Sequence, residues 1–261
     1  MTQALQRATF NRSGLVRILS ESLPDTGAPQ YDFGEKLGQW LDFPDALSLS
    51  AALASAEKPA LAPLTGAANT LPQQLERVRR SLAEAIRNDG VFPADGERDA
   101  PRLRFPTPLP QATVESAADF TPYHRYYLAH QRDMSTAIAA LRGNARKALA
   151  QASPAGRRLA ELDTAFDAIL NTRERNLLAT VPMLLARRFA ELFREHGAAL
   201  AGGEDDPATW TQPGSWLETF CRDAQAVLLA ELELRLKPVA GLIAAGAAPA
   251  DGNASTRETP P

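Results

Sequence analysis

The stretch from about Thr121 to Glu195 constrains the fold more than any other part of the chain. Thr121-Pro122 and Ser153-Pro154 each join an N-cap residue to a proline in the first turn, a common helix start. After both starts, apolar residues recur every three or four positions, which is the period of an amphipathic helix. The sequence therefore predicts two long helices, about 121–152 and 154–196, that pack antiparallel through their apolar stripes.

The second of these helices contains two irregularities. Its apolar residues recur about every 3.7 positions, which favours a straight helix over a left-handed coiled coil. Pro182 has no amide hydrogen to donate and should kink the helix near Leu178. Arg173 occupies a position where the stripe predicts a hydrophobic residue. If it is buried, it needs a carboxylate partner; the sequence leaves open an ion pair that fixes register, an exposed turn or a ligand site.

Shorter helical segments surround this hairpin. Residues 1–90 are expected to form a smaller N-terminal helical subdomain, with helices that begin near Ser13, Asp32, Pro44 and Thr70. Residues 91–120 are rich in proline and are predicted to be a linker. Residues 121–245 should form the long-helix bundle, completed by a C-terminal helix that starts at Ser215 and ends or kinks at Pro238. Residues 246–261 are of low complexity and predict a disordered tail.

The predicted fold is all-α with no sheet, because no window shows the period-two alternation of a strand. The net charge of −3 argues against a globally basic nucleic-acid binder. Cys221 is the single cysteine, which fits a reducing compartment. No apolar run reaches the ~18 residues of a membrane span, and the first residues lack the apolar core of a signal peptide. We therefore expect a cytoplasmic protein with no transmembrane segment.

One cluster of aromatic and histidine residues could hold chemistry: Tyr123, His124, Tyr127 and His130. As a functional site it would belong to an unrecognised enzyme. The alternative, which we favour, is an aromatic anchor at the start of a core helix. His124 and His130 are six residues apart, so they do not share a helix face as a metal-binding pair would. The sequence predicts no catalytic residue, no cofactor and no metal.

Basic residues of the first long helix form a second candidate site. On a helical wheel the side chains gather opposite the apolar face and define a basic stripe. Its members are Arg125, Arg132, Arg142, Arg146 and Lys147. This stripe could bind nucleic acid, an anionic surface or an acidic protein. Alternatively, it pairs with Glu161, Asp163 and Asp167 of the neighbouring helix, or is merely solvated.

Several segments resemble an uncharacterised proteobacterial family of proteins with a domain of unknown function. The matching patterns are YxxYYLxHQRDM from Tyr123, then IxxLRxxAR, LAELDxA and LNTRERNLLATVPMLLARRFAEL, with FGEKLGQWLDFPDALSLSAAL nearer the N-terminus. The resemblance implies no activity and no catalytic residues. It does imply genomic neighbours similar to proton-channel and envelope proteins, and hence an accessory role beside a membrane assembly.

The leading hypothesis is therefore a non-enzymatic helical scaffold that binds a protein partner or itself, because the chain is long, amphipathic and poor in reactive motifs. Binding of nucleic acid or anionic surfaces through the basic stripe is the first alternative. An unrecognised enzyme with a site near His124 and His130 is the second.

Overall fold

The computed structural model describes residues 14–22, 43–54, 70–88, 103–109, 111–200 and 203–247. Within these ranges the regular structure is helical and contains no strand, so the all-α prediction is confirmed. The helices are α1 (Gly14–Ser22), α2 (Phe43–Ala54), α3 (Leu71–Arg87), α4 (Val114–Ala117), α5 (Thr121–Ala152), α6 (Pro154–Leu178), α7 (Val181–Ala199) and α8 (Trp216–Ala247). A 3-10 turn, Pro207–Thr209, precedes α8.

The C-terminal helix α8 lies at the centre of the molecule. Helices α1, α3, α5 and α7 all pack against it. Its buried side chains cover about half of the helix circumference, a wider face than the stripe of a typical surface helix. They include Leu217, Phe220, Val227, Leu228, Leu232, Leu236 and Val239. Pro238 is exposed and lies inside the helix, which continues to Ala247. The helix therefore does not end at this proline.

The helix α5 runs parallel to α8 and antiparallel to α6. Tyr123 meets Phe220 near the start of α5, and Gly246 approaches the Leu149 side chain near its end. The predicted hairpin is confirmed: Ser153 caps α6, since its hydroxyl accepts a hydrogen bond from Gly156 N at 2.9 Å. A β-carbon at position 156 would collide with the Leu149 carbonyl, so glycine permits the tight corner.

Ion pairs occupy the interface between α5 and α6. Arg142 donates to both oxygens of Asp163, at 2.9 and 2.6 Å, and to Asp167 at 2.7 Å. Arg146 donates to the same two carboxylates at 2.7 and 2.9 Å. Burial raises the pKa of Asp163, but the two guanidinium groups outweigh it and hold the pKa below 3.8. The alternative in which Arg142 and Arg146 pair with Asp163 and Asp167 of the neighbouring helix is therefore correct, and ion pairs join this face of the hairpin.

The second long helix is interrupted where Pro182 predicted a kink. The helix α6 ends at Leu178 and α7 starts at Val181, so Ala179 and Thr180 form a turn between them. The carbonyl of Leu177 accepts hydrogen bonds from Thr180 N and from the Thr180 hydroxyl, which closes the end of α6. The missing amide hydrogen of Pro182 explains why the helix does not run through.

Parts of the chain predicted to lie outside the bundle contact its core. Phe105, within the proposed 91–120 linker, is buried at 4% exposure, and α3 packs against both α5 and α8. The division into an N-terminal subdomain, a linker and a bundle stays a prediction. The helix predicted from Asp32 lies outside the described residues, as do residues 248–261 of the predicted tail.

We predict that Asp163→Ala lowers the free energy of unfolding by about 2 kcal/mol, because it leaves two half-buried guanidinium groups with one carboxylate between them. Urea denaturation followed by circular dichroism measures this. Asp133→Ala, an exposed position on α5, should change stability by less than about 0.5 kcal/mol. Equal effects of the two substitutions would contradict a structural role for the ion pairs.

Candidate functional site

The predicted aromatic and histidine cluster is divided between core and surface. Tyr123, Tyr127 and His130 are buried, at 5%, 2% and 2% exposure, whereas His124 is half-buried. Tyr123 contacts Phe105, Phe120, Phe189 and Phe220, with ring centroids 5.0–6.3 Å apart. Burial raises the pKa of the Tyr123 phenol well above 10. Its environment is therefore that of an aromatic core side chain and not of a nucleophile.

Tyr127 is part of a buried hydrogen-bond network that was not predicted from the sequence. The carboxylate of Glu231 on α8 is completely buried. It accepts hydrogen bonds from the Tyr127 hydroxyl at 2.7 Å, from Gln131 Nε2 at 2.9 and 3.1 Å, and from Arg235 Nε at 2.7 Å. Every donor is itself buried or nearly so, with the Arg235 side chain 10% exposed. The charge is thus neutralised inside the core by one cation and two neutral donors.

This network reaches the break between α6 and α7. Gln131 Nε2 also donates to the Leu178 carbonyl at 3.2 Å. In an unbroken helix that carbonyl would accept from residue 182, but Pro182 has no amide hydrogen. The side chain of Gln131 therefore satisfies the group that the proline leaves without a donor. One signal could have revealed the site: Glu231 stands four residues after Val227 and three after Leu228, on the apolar face of α8.

His130 is buried beside this network but has no hydrogen-bond partner for Nε2 within the described residues. Its ring meets Tyr126 edge-on, with the centroids 4.6 Å apart. Burial lowers the pKa of His130 from 6.5 to about 4, and the opposing effect of Asp133 is smaller. The imidazole is therefore neutral at pH 7 and shielded from solvent.

The basic stripe is not a uniform surface. Arg142 and Arg146 are bound to Asp163 and Asp167, and their side chains are 15% and 21% exposed. The other members, Arg125, Arg132 and Lys147, are exposed. Three of the five cations are therefore exposed, and the other two are held in ion pairs between α5 and α6.

The apolar face of α6 is the most unusual surface of the described structure. Five apolar side chains on one face of the helix form what we call the α6 stripe: Leu162, Phe166, Ile169, Leu170 and Leu177. The first four are only half-buried and lie outside the main hydrophobic core, and Leu177 is 57% exposed. The helix α2 packs on α6, yet its own Phe43 and Leu47 are 76% and 54% exposed. The stripe is therefore incompletely covered over about 22 Å.

No group of three or more histidine, cysteine or acidic side chains among the described residues could hold a metal ion. None of the described helices combines the length and the hydropathy that crossing a bilayer requires. Cys221 is buried in the core.

We predict that Glu231→Ala lowers the free energy of unfolding by about 3–5 kcal/mol, since it leaves Arg235 buried without its carboxylate. Glu233→Ala is the matched control: it lies two residues away, is 56% exposed and pairs only with Arg79 in the described structure, so the loss should stay below about 1 kcal/mol. Chemical denaturation at pH 7 measures both. Similar losses for the two variants would show that the buried network is not a special determinant of stability.

We also predict an acid-sensitive stability that depends on His130. The unfolded chain protonates this imidazole near pH 6.5 and the folded chain only near pH 4, so stability should fall as pH decreases between these values. The contribution is up to about 3 kcal/mol. In His130→Leu this part of the decrease should vanish, whereas His124→Gln should retain it. Denaturation at a series of pH values measures it; superimposable profiles for wild type and His130→Leu would contradict the prediction.

Comparisons with known proteins extend the resemblance noted in the sequence. No curated protein and no solved structure matches the chain. A family model described as "Protein of unknown function (DUF3348)" matches residues 1–248, which is nearly the whole chain. The chain therefore belongs to the DUF3348 family of proteins of unknown function.

Proposed function

We propose that this chain is a non-enzymatic helical interaction protein whose α6 stripe binds a protein partner. The single observation that carries the proposal is the row of half-buried apolar side chains on α6, which lies outside the hydrophobic core of the described residues. Contiguous exposed apolar surface is uncommon on monomeric proteins and marks sites of association. Met183, 65% exposed just after the α6–α7 break, adds to the apolar surface of these helices.

The internal chemistry of the bundle supports the same proposal. The buried polar groups that could have formed a reaction centre are held inside the core: Glu231 is surrounded by its donors, and His130 is shielded from solvent. We further propose, from the family resemblance, a proteobacterial protein of the cytoplasm that serves as an accessory to a membrane or envelope assembly. Self-association is the other form that such an interaction could take.

Two alternative hypotheses stay open, with less support. Binding of nucleic acid or an anionic surface would rely on Arg125, Arg132 and Lys147, since Arg142 and Arg146 already have carboxylate partners. An enzyme near His124 and His130 would need these two side chains to share a pocket, whereas one is buried and the other half-exposed on a different side of α5.

Site-specific photo-crosslinking in the native cell tests the interaction. A photoreactive phenylalanine analogue at position 170 should give a discrete crosslinked protein adduct. The same analogue at Ala168, exposed on the opposite side of α6, should not. Ile169→Glu should reduce the adduct formed from position 170 at least about tenfold, because it places a charge among apolar contacts. Absence of a discrete adduct, or equal adducts from positions 168 and 170, would rule out the α6 stripe as the binding surface.

A further inference from the structure

One charged side chain, Arg173, interrupts the α6 stripe: it stands between Ile169 and Leu177 on the same helical face. The residue is half-buried, and its Nη1 is shielded from solvent without a hydrogen-bond partner in the described structure. Neither Asp nor Glu forms an ion pair with it among the described residues. A guanidinium group among apolar side chains is unfavourable unless an anion faces it.

Other arginines of the bundle have the carboxylate partner that Arg173 lacks. Arg142, Arg188 and Arg235 each donate to a carboxylate of a different helix or of a neighbouring turn, at 2.6–2.9 Å. The carboxylate next in sequence to Arg173 is Glu174, but its charge acts on Arg142, across the α5–α6 interface. Since consecutive side chains of a helix point about 100° apart, Glu174 is directed away from the stripe.

We infer that the partner bound by the α6 stripe is an amphipathic helix that carries an aspartate or glutamate opposite Arg173. This inference rests on the proposed function. The apolar residues of such a helix would cover Phe166, Ile169 and Leu170, and its carboxylate would supply the missing anion. The partner therefore carries at least one acidic residue beside its apolar face.

The charges of the stripe argue against a second copy of the chain as the occupant. No member of the stripe is acidic, so a stripe packed against an identical stripe would place Arg173 against apolar side chains or another arginine. Like charges in such an interface are strongly unfavourable. A different protein with acidic residues meets the requirement.

Fluorescence anisotropy with designed peptides tests the charge requirement on the full-length chain. The probe is a labelled 21-residue helical peptide with leucines on one face and glutamates along its flanks; the matched peptide has lysines in place of the glutamates. The wild-type chain should bind the glutamate peptide at least about tenfold more tightly than the lysine peptide, and added salt should reduce this difference. Arg173→Glu should reverse the preference, and Arg173→Leu should reduce it to less than about threefold.

The controls separate failure of the inference from failure of the proposed function. Loss of peptide binding in Ile169→Glu, but not in Ala168→Glu, shows that the peptide occupies the α6 stripe. If both peptides bind the stripe equally well and Arg173→Glu changes nothing, the acidic partner is wrong although the surface is correct. Two other results would also contradict an acidic amphipathic helix as the partner. One is binding of neither peptide; the other is a wild-type dimer in light scattering that Ile169→Glu dissociates. Absence of any photo-adduct at position 170 in the cell would instead refute the proposed function itself.

Discussion

The buried carboxylate of Glu231 is the interaction on which the arrangement of the long helices depends. Its donors come from α5 and from α8 itself, and one of them, Gln131, also holds the carbonyl at the end of α6. A charge with no access to water tolerates almost no displacement of its partners, because each lost hydrogen bond leaves an unsatisfied group in a medium of low dielectric constant. Apolar contacts would allow α5 to slide along α8; this network fixes one register. Because Gln131 also donates to the carbonyl that Pro182 leaves without a donor, the helix break and the buried charge form one structural unit.

Two faces of α6 make different contacts. The face toward α5 carries two small buried residues, Gly156 and Ala160, and two carboxylates, Asp163 and Asp167. The ion pairs of these carboxylates make the contact between the two helices of the hairpin polar. About a quarter of a turn away it presents the α6 stripe, toward α2 and solvent. In most two-layer helical proteins the apolar stripe of a helix contributes to the core. Here an apolar stripe lies outside the hydrophobic core of the described residues, and this is the main structural reason for proposing that a partner covers it.

The sequence predicts the elements of this fold better than their contacts. Local signals were sufficient for the two long helices, the corner at Ser153-Pro154 and the disruption at Pro182, because caps and prolines act within a few residues of the chain. Contacts between distant residues were harder to predict. The position of Glu231 on the apolar face of α8 indicates burial, but it does not identify Tyr127, 104 positions away, as the partner. Periodicity likewise shows that a helix has an apolar face but not which neighbour covers it, so the hairpin was expected to close through its stripes. Phe105 lies among the prolines of the predicted 91–120 linker, and periodicity gave no sign that its aromatic ring is buried against Tyr126.

The central position of α8 has a consequence for biosynthesis. Every described helix that packs against it, from α1 to α7, leaves the ribosome earlier, and α8 is the last helix that the structure describes. Until it emerges, the nascent chain has the apolar sides of α1, α3, α5 and α7 without their common partner, and these contacts span long stretches of sequence that close slowly. The core described here can therefore be completed only after α8 has been synthesised, and until then the apolar sides of these helices lack the contacts that bury them.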